Sequence, residues 1–163
     1  MRFLKPKYVG KSRFDAEWHE AVEAYNRHLD SIRAALPESV RAFLRYTARH
    51  PLHDRGVERI EAGNSDELTI FLTGLRLELW GVQCCRCPEM PDERMWWLYE
   101  EVDIASKGRF VLRGLTDAGE IHVEAESLWL FDMAAGRYVI PDDPPPEPPK
   151  LFLDRRGPKS RKH

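Results

Sequence analysis

The apolar residues of this 163-residue chain change their spacing at Pro37. Before it, Phe14, Trp18, Val22, Tyr25, Leu29, Ile32 and Leu36 recur at intervals of three and four, the repeat of one helix face. After a short second helix they recur mainly at every second residue, the repeat of a half-buried strand. A chain with this order is expected to lay helices against a sheet. The first helix is expected to start near Ser12, with Asp15 completing a capping box, and to stop at Pro37. PESVRAFLRYTARH then presents Val40, Phe43, Leu44 and Thr47 on one side. HPLHDRG ends the helical region, because Pro51 blocks continuation and Asp54 and Gly56 suit a turn.

The strands follow at 57–61, 68–72, 75–80, 95–105, 108–115 and 120–126, with SLWLFDM as a last short strand or a helical turn. Thr73–Gly74 predicts a tight hairpin. In MWWLYEEVDIA, alternation places Trp96, Leu98, Val102 and Ile104 in one phase, with Trp97 and Tyr99 opposite. No helical segments separate the strands, so parallel crossovers are excluded. The expected fold is α+β: two N-terminal helices on one face of an antiparallel sheet of about six strands, with a proline-rich C-terminal tail. Trp18, Tyr25, Leu29 and Phe43 are expected to be buried against residues such as Ile70, Leu77 and Leu98. Residues 1–140 form the expected single domain. Residues 141–163 form a tail whose opening, PDDPPPEPPK, holds six prolines in ten residues and suits an extended polyproline conformation.

Charge is segregated. The formal net charge is −2, yet residues 1–13 carry five basic groups and no acid, and residues 154–163 carry five basic groups and one acid. Without those ends the body stands at −11. An acidic body argues against a broad nucleic-acid face, since such binding rests on phosphate neutralisation. The three cysteines fall within CCRC, at 84, 85 and 87, which is no secreted disulfide framework. MRFLKPKYVGKSRF has no apolar run of the kind that opens a secretory leader, and no segment approaches a membrane span. A cytoplasmic protein is the expectation.

Four groups of residues carry chemical interest. Cys84 and Cys87 have the CxxC spacing of a zinc half-site, but no second CxxC exists, and His50 and His53 would have to complete it. His50, His53 and Asp54 form a second group, in which Asp54 orients an imidazole, as a hydrolase-like enzyme would require. The bland alternative is a helix end, where histidine meets the last carbonyls. Glu100, Glu101, Asp103, Glu120, Glu124 and Glu126 form a third, expected as an acidic stripe on a solvated sheet face that resists edge pairing. Trp80, Trp96, Trp97, Tyr99 and Trp129 form the fourth, many rings for a sheet that two helices cover on one side only. No GxSxG, HExxH or Walker loop is present. No catalytic, cofactor-binding or metal-binding residue is assigned, and no cofactor.

LHD after the paired helices, WWLYEEVDI, and the EIHVEAESLWLF ending resemble small bacterial proteins of uncharacterised families that set a helical pair before an antiparallel sheet. The resemblance spans residues 12–133 and implies no catalytic residue. The expected function is that of a non-enzymatic interaction module. It would bind another protein or its own copy through the exposed sheet face, without membrane, nucleic acid or small-molecule substrate. The alternative is a small hydrolase-like enzyme or metal-binding protein using the His50/His53/Asp54 and Cys84/Cys87 regions.

Overall fold

A computed structural model describes residues 2–5, 16–63, 66–91, 94–106 and 108–140. The expected helix start at Ser12 and the proline-rich tail lie outside those residues. Helix α1 (Ala16–Ile32) passes into a 3-10 turn at Arg33–Ala35, and Leu36 is extended, as a residue before proline must be. Pro37 then serves as the N-cap of α2 (Glu38–Thr47). Nine strands follow among the described residues: β1 (Arg55–Ala62), β2 (Glu67–Leu72), β3 (Leu75–Trp80), β4 (Cys84–Arg86), β5 (Met95–Ile104), β6 (Phe110–Thr116), β7 (Gly119–Ala125), β8 (Ser127–Asp132) and β9 (Arg137–Ile140). They form one antiparallel sheet in the order β4-β7-β6-β5-β1-β2-β3-β8-β9.

The α+β class with two helices and a large antiparallel sheet agrees with the sequence, but the strands among the described residues number nine rather than about six. SLWLFDM is a full strand, and β4 and β9 have three and four residues, too few for alternation to stand out. The Thr73–Gly74 hairpin is present, with Leu72 paired to Leu75 and Gly74 at φ 78°, a conformation that favours glycine.

One apolar face runs across the sheet. Leu68, Ile70 and Leu72 of β2, Leu75, Leu77 and Leu79 of β3, Leu128 and Leu130 of β8, and Ile121, Val123 and Ala125 of β7 are buried in one cluster with Val40 and Phe43 of α2. Helix α2 lies against β8 and β9, where the Ser39 hydroxyl accepts the Leu128 amide at 3.3 Å. Helix α1 lies against β5. Of its stripe, Tyr25 and Leu29 are buried, while Trp18, Val22 and Ile32 are only partly covered. That incomplete cover leaves a cleft.

The phase expected for β5 is corrected. Trp97 pairs with Thr116 and Tyr99 with Leu115, so Leu98 is an extra residue, a β-bulge. Beyond a bulge the side chains exchange faces. Met95 and Trp97 before it, and Glu100, Val102 and Ile104 after it, therefore share the inner face. Trp97 is 0 % exposed and Trp96 is 40 % exposed, the reverse of the expectation. Leu98, expected in the core, is half-buried on the bulge. Gly114 on β6 makes room for the Trp97 ring: a β-carbon there would stand 2.8 Å from Trp97 Cζ2. No helix among the described residues is long and apolar enough to cross a membrane.

Candidate functional site

Strand β1 pairs only with residues 95–97 of β5, so among the described residues the remainder of that edge has no strand beside it. Helix α1 takes the place of one. The Val102 amide donates to the Tyr25 hydroxyl at 2.7 Å, satisfying a backbone group that a neighbouring strand would otherwise hold. Between α1, the 51–53 loop and this edge lies a cleft of about 220 Å³, lined among others by Trp18, Val22, Tyr25, His53, Tyr99 and Glu100.

The bulge sends Glu100 into this cleft. Trp97 Nε1–H donates to Glu100 Oε2 at 2.9 Å, a contact between positions i and i+3 that a regular strand would place on opposite faces. Burial raises the Glu100 pKa, and the Trp97 bond and nearby His53 only partly offset that rise. Burial likewise raises the Tyr25 pKa, and its hydroxyl proton has no acceptor among the described residues.

His53 reaches the cleft from the loop after α2. Its ring packs on Tyr99 with centroids 5.3 Å apart, and Tyr99 in turn packs on Trp18 at 4.7 Å. Asp54 has φ 64°, the left-handed region that aspartate tolerates better than most residues. In that conformation its amide donates to the Trp97 carbonyl at 2.9 Å, and its Oδ2 lies 2.8 Å from His53 Nδ1. A carboxylate on Nδ1 fixes the ring orientation and directs Nε2 away from it. The cleft thus combines an acid that tends to hold its proton, an oriented imidazole and a phenolic donor, the elements of proton exchange with a bound molecule.

The other candidates lie elsewhere. His50 packs on Tyr46 at 4.8 Å and does not line this cleft. The cysteines sit on and after β4, the sheet edge, separated from β5 by β7 and β6. Cys85 and Cys87 sulfurs are 3.3 Å apart, and burial with the neighbouring Cys85 pushes the Cys87 thiol up to about 12, so it is not a ready thiolate. No group of three or more metal-ligating side chains occurs among the described residues.

The β5 part of the acidic stripe, Glu101 and Asp103, is covered and compensated, whereas Glu126, just after β7, is exposed. Glu101 is 1 % exposed, and its carboxylate accepts the backbone amides of Arg2 and Phe3, each at 2.7 Å, and that of Leu4. Asp103 faces His28 at 3.0 Å and Arg2 and Arg113 at 3.6 Å each. Burial raises the Asp103 pKa, but the His28 hydrogen bond and Arg113 outweigh it and hold the group below its usual value. Sequence reasoning singled out His53 and Asp54 but took Glu100 for one member of the solvated stripe. It missed Tyr25 as a site residue, reading it only as core.

Because the folded state holds the Glu100 proton more tightly than the unfolded chain, this group's contribution is most favourable in acid. It declines as pH rises from the ordinary carboxylate range through the raised value. Glu100→Gln keeps an acceptor for Trp97 and removes the titration. Its thermal midpoint is expected to exceed that of the wild type at about pH 8 and to match it near pH 4. A midpoint difference that stays constant with pH would remove this account of Glu100.

No curated protein and no solved structure matches the chain. A family model described as a protein of unknown function, DUF4085, matches residues 7–124. The match takes in α1, α2 and β1 through most of β7, and with them Trp18, Val22, Tyr25, His53, Tyr99 and Glu100 of the cleft. The chain belongs to the DUF4085 family.

Proposed function

We propose that this protein binds a small, largely apolar molecule in the cleft between α1 and β5, where Glu100 and His53 can exchange a proton with it. The observation that carries the reading is the Glu100 carboxyl, desolvated and tied to Trp97, at a cleft that also receives His53 and Tyr25. Aromatic walls with a few converging polar groups and a perturbed acid are the usual marks of a ligand site. Size supports it too: an apolar cavity of about 150 Å³ holds benzene, and this cleft is larger.

The uncharged probe 2-naphthamide tests the reading. With about thirteen heavy atoms at about −0.3 kcal/mol each, it should bind with a dissociation constant on the order of 1 mM or below. Titration calorimetry should detect this in the wild type and not in Val22→Trp, which fills the cleft, provided circular dichroism shows the variant folded. Equal binding by both, or none by the wild type, would remove the proposal.

A second reading, an interface for another protein or a second copy, is favoured by the outer face of β2, β3, β8 and β9. Trp80 and Trp129 meet edge to face at 6.1 Å there, Phe131 meets Tyr138 at 5.1 Å, and Arg76 lies over Phe131. Half-exposed rings and arginine are good anchors. This reading has lost Trp97, which is buried in its own fold, and so it ranks second.

A further inference from the structure

A second groove, of about 470 Å³, adjoins the cleft and shares Tyr25 and Glu100 with it. Its other polar walls are Asn26, Arg33, Arg45, Thr47 and Arg49, supplied by α1, the turn after it and the end of α2. Among the described residues of its lining Glu100 is the one acid, and burial raises its pKa. Arg33 is bonded to Asp30 at 3.1 Å and Arg45 to Glu38 at 2.9 Å, both on the exposed surface, where such pairs are weak and easily exchanged. Arg49 has no acid within ion-pair distance among the described residues. Asp30 and Glu38 offset Arg33 and Arg45, and the ends of α1 and α2 each bring about half a unit of negative charge, so the hold on an anion rests on Arg49 and on exchange of the two surface ion pairs.

Resting on the reading of the cleft as a ligand site, we propose that the ligand is an amphiphilic anion. Its ring or short chain lies in the cleft, and a carboxylate or phosphate head lies in the adjoining groove against Arg33 and Arg49. The arrangement divides the work by chemistry. Trp18, Val22 and Tyr99 cover the apolar body, the Tyr25 hydroxyl stands at the junction as a hydrogen-bond donor, and the guanidinium groups match a planar or tetrahedral oxyanion.

The test compares 2-naphthoate with 2-naphthamide, which share a ring system and differ in charge, by titration calorimetry on the full chain at neutral pH. The carboxylate is expected to bind about tenfold more tightly at low salt, with the advantage shrinking as salt is added. In Arg33→Gln/Arg49→Gln the carboxylate should fall to the affinity of the amide, while the amide is unchanged. Since both arginines are exposed, this variant is expected to fold, which circular dichroism checks. Equal affinities in the wild type, or a carboxylate preference that survives the double variant, would overturn the anion proposal and leave the cleft reading standing. Failure of both compounds to bind would remove the cleft reading itself, and the anion proposal with it.

Discussion

Trp97→Ala is expected to cost about 3–5 kcal/mol of folding stability, the range for truncating a fully buried large aromatic. Trp97 is 0 % exposed, its ring occupies the space that Gly114 leaves, and its indole N–H is bonded to Glu100. Three losses therefore coincide: apolar contact, a cavity at the bulge and a hydrogen bond to a desolvated carboxyl. Urea unfolding gives the magnitude. Trp97→Phe separates the terms, because it restores much of the ring while leaving Glu100 without its donor. It should fall well short of the alanine loss. A cost below about 1 kcal/mol for Trp97→Ala would mean that the bulge does not organise the core as described.

Glu101→Ala is expected to cost about 3 kcal/mol, since it leaves backbone amides of Arg2, Phe3 and Leu4 without their acceptor where they pack on the protein. The distinguishing readout is local. Hydrogen exchange at Phe3 and Leu4 should accelerate far more than exchange in β2 and β3, because the amides of this segment share one carboxylate as acceptor, whereas the central strands are held by their ladders. Leu4 also lines the cleft, so this segment is part of the wall of the proposed site. Exchange that rises uniformly, or not at all, at residues 3 and 4 would show that Glu101 does not hold them.

The parts of the fold legible in the sequence are those where local pattern and tertiary packing agree. Leu68, Ile70 and Leu72, then Leu75, Leu77 and Leu79, alternate without interruption on either side of a two-residue turn, and all six are buried. The break at Pro37 is equally local, since proline shapes the residue before it as well as its own position. The phase of β5 was not legible. A bulge at Leu98 requires neither glycine nor proline, so MWWLYEEVDI reads as regular alternation until its pairing with β6 is known. That one extra residue decides which tryptophan is buried and which of two adjacent glutamates enters the cleft. For the same reason Glu100 was indistinguishable from Glu101 in sequence. His53 and Asp54 were recognisable because adjacency alone lets a carboxylate reach a ring nitrogen. Convergence with Tyr25 and Glu100 depends on a tertiary contact, the docking of α1 on an edge that β1 leaves uncovered.

The ligand site is tested most directly by the indole N–H signals of the five tryptophans in a two-dimensional nitrogen–proton spectrum, recorded as 2-naphthamide is added. Trp18 lines the cleft and Trp97 is bonded to Glu100 within it, whereas Trp80 and Trp129 lie together on the outer face of β3 and β8. The account predicts that the Trp18 and Trp97 signals move in a saturable way while those of Trp80 and Trp129 stay in place. Movement confined to Trp80 and Trp129, or no movement of any indole, would contradict it.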